Sequence, residues 1–66
     1  MSVVKVIEVL AESSKSWEDA ASIAVQKATE SLHGIKSIYI QDFEAKVEEG
    51  RIVSYRINAK ISFALD

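Results

Sequence analysis

Three glutamates crowd the segment FEAKVEEG: Glu44, Glu48 and Glu49. Carboxylates are hard oxygen donors, and repeated by symmetry around an axis they bind a cation such as calcium. Taken singly, they are the solvated residues of a turn. Arg56 is the second residue of chemical interest. Its planar cationic fork suits phosphate or carboxylate, whether on a ligand or on a neighbouring subunit, and an ion pair between subunits is the simpler reading. Asp42 is its expected acidic partner, within one chain or across two. Other chemistry is thinly supplied. His33 is the single histidine, and its place at a helix end already accounts for it, because a cation is favoured there. Two glycines are too few for a phosphate-cradling loop. No nucleophile with a base beside it is recognisable, so no enzymatic activity is expected.

These residues need elements to hold them, and 66 residues allow one domain, residues 1–66. A chain this short buries only about 60% of its unfolded surface, so a lone core is marginal. The usual supports are missing. There is no cysteine, hence no disulfide and no thiolate metal site. Yet 48% of the residues are hydrophobic, and the remaining common support is self-association. The net charge of −2 and the lack of a basic run exclude the electrostatic footprint of a nucleic-acid binder. No apolar run is long enough to span a membrane, and the start MSVVKVIEVL lacks the cationic region and cleavage site of a signal peptide. A cytoplasmic location is expected.

The pattern predicts β-α-β-β. Residues 3–11, VVKVIEVLA, are rich in strand formers and apolar on both faces, with Val3, Ile7 and Val9 on one and Val4, Val6 and Leu10 on the other. Serines then mark a helix entry. Ser16 with Asp19 resembles a capping box, although Ser13 or Ser14 is an alternative cap. Trp17, Ala20, Ala21, Ala24, Ala28 and Leu32 recur at helical spacing, which makes Trp17 a packing residue. The sequence LHG predicts a helix end with Gly34 as its left-handed cap and His33 in the last turn. Residues 35–47 form a second strand whose apolar parity switches from Ile38 and Ile40 to Phe43, Ala45 and Val47, predicting a bulge near Gln41–Asp42. Gly50 turns the chain. The third strand alternates cleanly, with Tyr55, Ile57, Ala59, Ile61, Phe63 and Leu65 facing one way. The expected fold is α+β, a three-stranded antiparallel sheet curled around one helix. One helix covers one sheet face. The other face is mixed polar and apolar, as interfaces are, so it is expected to meet other subunits; a merely solvated face is the alternative.

The segments KVIEVLAESSKSWEDAASIAVQKA and YRINAKISFALD together resemble the dodecins, over nearly the whole chain and without a gap from Ser16 to Asp66. The resemblance rests on length, order and spacing rather than on any single motif. It implies a hollow homododecamer that binds or stores a small ligand, in this family a flavin (FMN or riboflavin). It also implies a ligand site at the positions matching Ser37 and Arg56, and Asp42, close to the expected bulge, is counted with that site as the nearest acidic partner of Arg56. Flavin-binding dodecins carry a stacking tryptophan where Ser37 stands and a hydrogen-bonding glutamine where Arg56 stands. The chain therefore looks more like the calcium-binding dodecins, and the alternative function is a calcium-binding or purely structural shell without flavin. Glu44, Glu48 and Glu49 are the candidate metal ligands.

Overall fold

The computed structural model describes residues 3–65. They form β1 (Val3–Ser13), α1 (Trp17–Thr29), β2 (Ile35–Glu48) and β3 (Arg51–Leu65). The sheet is antiparallel throughout, in the order β1-β3-β2. β3 is thus the central strand, and its regular alternation sets the core. Ile57, Ala59 and Ile61 are fully buried under α1, with Val9, Ala11, Ile38 and Ile40 packed around them. Buried Ala20 and Ala24 carry no bulk beyond Cβ, so the helix lies close on the sheet.

Local hydrogen bonding fixes the helix start. Ser16 is the N-cap, its Oγ accepting the Asp19 amide at 2.9 Å. Ser13 is buried instead of capping. Its Oγ donates to Asp19 Oδ2 at 2.6 Å and accepts from the Lys15 amide at 2.9 Å. Glu18 and Asp19 complement the amino-terminal end of the helix dipole. The helix ends earlier than the sequence suggests. Its C-cap is Glu30, whose amide tightens onto the Lys27 carbonyl at 3.1 Å. Gly34 does have a positive φ of 69°, but it lies beyond the cap and serves the entry to β2. There its carbonyl accepts the Ala64 amide at 3.0 Å, and an added Cβ would come within 3.4 Å of Ala64 Cβ. His33 accordingly sits after the helix rather than in its last turn.

β1 runs two residues past its expected end, pairing Glu12 with Arg56 and Ser13 with Tyr55. The bulge falls where the parity switch places it, between Ile40 and Asp42. It keeps Ile38, Ile40, Phe43 and Ala45 on one face, opposite Ile61, Ala59, Ile57 and Tyr55. At the hairpin tip Glu49 and Gly50 both take positive φ, 53° and 74°.

The protomer is long. Its extents are 51 × 20 × 13 Å and its radius of gyration is 13.5 Å, against about 11 Å for a compact chain of this length. The cause is a mismatch of lengths. α1, at 13 residues, spans about 20 Å, whereas β3, at 15 residues, spans about 50 Å. β1 pairing stops at Tyr55, so β2 and β3 continue beyond it as a two-stranded arm.

Candidate functional site

The face of the sheet turned away from α1 is built in rows, each centred on one residue of β3. In order along the strand they are Glu12–Arg56–Glu44, Leu10–Asn58–Asp42, Glu8–Lys60–Tyr39 and Val6–Ser62–Ser37. Directly opposed side chains across an antiparallel pair are near neighbours, while diagonal ones stand about 7–8 Å apart. The row structure therefore decides who meets whom.

Arg56 is held from both sides. Its Nε and Nη2 donate to Glu12 Oε1 at 3.0 and 2.8 Å, and its Nη1 donates to Glu44 Oε1 at 3.2 Å. The Glu12 hydrogen bond and charge, followed by those of Glu44, raise the guanidinium's pKa above its ordinary value. The expected partner Asp42 is displaced from this role. It lies one row along, opposite Asn58, and the directly opposed glutamates take the fork. The guanidinium is committed to carboxylates of its own chain, although the row remains open to solvent.

Asp42 and Arg56 nevertheless share a cup of about 310 Å³, lined also by Leu10, Phe43, Glu44 and Asn58. Asn58, one of its lining residues, has a buried Oδ1 with no hydrogen-bond partner among the described residues. A buried unpaired acceptor costs free energy, so a donor or a cation brought to it is favoured. The cup thus combines two carboxylates and a free amide oxygen with an arginine already neutralised.

Ser37 is not part of this cup. It sits opposite Ser62, six residues along β3 from Arg56, or about 20 Å. The two serine hydroxyls bond each other at 2.6 Å. Nothing at this position offers an aromatic platform, but Tyr39 stands one row away on the same face and is 65% exposed. The hairpin glutamates are also dispersed. Glu44 is bound to Arg56, Glu48 pairs with Lys46 at 3.6 Å, and Glu49 is in the turn. Among the described residues, no group of three His, Cys, Asp or Glu side chains is placed to hold a metal within one protomer.

Trp17 clamps the helix start to the sheet. Its ring meets Tyr55 and Phe43 edge-on, with centroids 4.9 and 5.9 Å away, and its indole N–H donates to the Glu44 carbonyl at 3.0 Å. This fixes the backbone on which the Glu44 side chain is mounted. Glu12 and Asn58 were not singled out by sequence reasoning. Asn58 reads as an ordinary outward polar residue of β3. Glu12 becomes visible only once β1 is paired with β3 in register.

The dodecin family pattern matches residues 3–66. The chain is 37% identical over 65 residues to the calcium dodecin of Mycobacterium tuberculosis, covering 98% of this chain and 92% of that one. A crystal structure described as that organism's calcium-chelating dodecin with a novel calcium-binding site superimposes with a TM-score of 0.83 at 38% identity, covering 98% and 93% of the two chains. The R45A dodecin of Thermus thermophilus superimposes with a TM-score of 0.94 at 20% identity over 100% and 98% of the chains. Dodecin from Streptomyces davaonensis gives 0.92 at 18% identity over 98% and 96%. The last two likenesses concern the fold.

Proposed function

The chain belongs to the dodecin family, and on that premise we propose that it is a homo-oligomeric, non-enzymatic ligand-binding protein. Its assembled form is a hollow homododecamer, and its ligand is a hard cation such as calcium. The observation that carries the cation is the buried, unpartnered Asn58 Oδ1 beside Asp42 and Glu44. Calcium takes oxygen donors from carboxylates and amide carbonyls, six to eight in number. Asp42, Glu44 and Asn58 would supply part of the set. Water and the hairpin carboxylates Glu48 and Glu49 of neighbouring copies would supply the rest. The 37% identity to a calcium dodecin supports this reading.

Flavin fits the chain less well. Ser37 is locked to Ser62 and gives no stacking surface, and Arg56 is occupied by two glutamates. Flavin storage is the second reading, favoured by the exposed ring of Tyr39 on the same face. The assembly is supported by the chain's size and by the exposed Val4, Val6 and Leu10 on the outer face of β1.

Calorimetric titration of chelator-stripped protein tests the choice, with riboflavin run in parallel. The expected result is calcium binding that is lost in Asp42→Asn, and no binding of riboflavin. Riboflavin binding without calcium binding would overturn the proposal in favour of flavin storage. Light scattering reads the assembly, and a stable monomer would refute it.

A further inference from the structure

The cup and the Arg56 row together are short of two positive charges. Glu12, Glu44 and Asp42 carry three negative charges, and Arg56 answers one of them. The adjoining rows do not supply the difference, because their lysines have carboxylates of their own. Lys60 stands opposite Glu8, and Lys46 pairs with Glu48 at 3.6 Å. A divalent cation held by Asp42 and Glu44 would neutralise the set, provided that Arg56 is left to neutralise Glu12. A monovalent ion would leave one negative charge over.

Without a cation the guanidinium is divided between two carboxylates, and unequally. It gives Glu12 two bonds, at 2.8 and 3.0 Å, and Glu44 one, at 3.2 Å. All three end on Oε1 atoms, so Glu44 Oε2 takes no part in the fork. Glu44 itself is kept in place, since Trp17 holds its backbone carbonyl at 3.0 Å. The movable group is the guanidinium. Its side chain is 44% exposed and that of Glu44 63%, so returning one N–H to water costs little. Glu12 lies across β3 from Glu44 and does not line the cup.

We propose that Arg56 is a tethered counter-cation that occupies Glu44 until a divalent cation displaces it, and that Glu12 sets the cation's affinity by drawing the guanidinium aside. The proposal rests on the hard-cation reading above and adds the regulation of that site. Binding is then an exchange. The Arg56 Nη1 bond to Glu44 is given up, the cation takes Glu44 and Asp42 with the Asn58 Oδ1, and Arg56 stays on Glu12. Arg56 is a competitor of the cation and Glu12 a positioning residue; neither is a ligand.

Calorimetric titration of chelator-stripped protein with calcium chloride, at physiological ionic strength, separates these roles. Arg56→Gln removes the competitor and a repelling charge, and should tighten calcium binding about tenfold. Glu12→Gln leaves the guanidinium to Glu44 alone, and should weaken binding by a similar factor. In the Arg56→Gln background, Glu12→Gln should change the affinity by no more than about twofold, because a carboxylate about 10 Å away across two strand spacings is largely screened. That arm separates an action through Arg56 from the mere loss of a nearby negative charge. A damaged fold would not produce tighter binding, and circular dichroism should be unchanged, since all three side chains are well exposed. Unchanged or weaker calcium binding in Arg56→Gln would overturn the proposal. So would an equal loss from Glu12→Gln in both backgrounds. In either case calcium binding by the parent protein would leave the functional reading standing. Absence of calcium binding from the parent and from Arg56→Gln alike would sink both.

Discussion

Replacing Ser37 by tryptophan asks whether the missing aromatic platform is what keeps a planar ligand out. The substitution breaks the 2.6 Å contact between the Ser37 and Ser62 hydroxyls. Ser37 is exposed and Ser62 half-buried, so the loss to the fold is small. The gain is an indole face on the outer side of the sheet, beside exposed Tyr39. Such a ring buries about 150–250 Å² against a stacked partner. At about 25 cal/mol per Å², that is worth about 4–6 kcal/mol as an upper bound, or three to four decades of affinity. Quenching of riboflavin fluorescence on titration is the assay. The unmodified protein should quench weakly, and Ser37→Trp should tighten binding by at least two decades. Adding Arg56→Gln frees Glu12 and Glu44 and removes a side chain that a neighbour's ligand would meet. Within one protomer positions 37 and 56 are about 20 Å apart along β3, too far to share a ligand. Non-additive effects of the two substitutions would therefore mean that neighbouring copies bring them together. Tight quenching by the unmodified protein would refute the argument from Ser37. No gain in the double variant would mean that copies do not form such a cleft.

Ile57→Ala, at a fully buried site under the helix, should cost about 2–5 kcal/mol, read by urea unfolding, whereas Gln26→Ala on the exposed helix face should stay within about 0.5 kcal/mol. Trp17→Phe loses the indole hydrogen bond to the Glu44 carbonyl and should cost about 1 kcal/mol in the same assay. Val6→Glu places a charge on the exposed outer face of β1 and should lower the particle mass in light scattering; an unchanged mass would show that face to be solvated. The Arg56 pKa is raised by Glu12 and Glu44, so the arginine's contribution is fully present below its ordinary value and is lost only as pH rises beyond it. Arg56 titration should therefore cause no change in thermal stability between about pH 7 and 10, and a drop on that limb that vanishes in Arg56→Gln would contradict the assignment.

Much of the architecture is legible in the residues because it rests on local periodicity. The alternation of Tyr55 to Leu65 names the core strand, and the parity switch at Gln41 names the bulge, since a single extra residue is the only way to keep the same face inward. The helix entry is legible from its serines, although only the folded chain separates Ser16 as cap from Ser13 as anchor for Asp19. The helix exit is less legible. Gly34 carries the left-handed signal, but the chain spends it on a close approach to Ala64 rather than on the cap. The candidate site is the least legible part. Arg56 stands out as a residue type, yet its partner Glu12 lies 44 positions away, and no local pattern fixes a register over that distance. Asp42 is nearer in sequence and misses the fork by one row.

The strand order has a consequence for how the molecule comes into being. β3 lies between β1 and β2, but it follows both in the chain. During synthesis neither edge strand has a hydrogen-bonding mate until β3 emerges, and the first residues of β1 wait for the far end of β3, Val3 for Leu65 and Val4 for Ala64. The helix can rest early on Val9 and Ala11 of β1, but its core stays incomplete until Ile57 and Ala59 of β3 are made. Nucleation must therefore join distant segments, which slows folding relative to chains of local contacts. Until then β1 is a valine-rich strand without a neighbour, open to other nascent chains. The charged residues spaced along it, Lys5, Glu8 and Glu12, interrupt its apolar run and serve as gatekeepers during that interval.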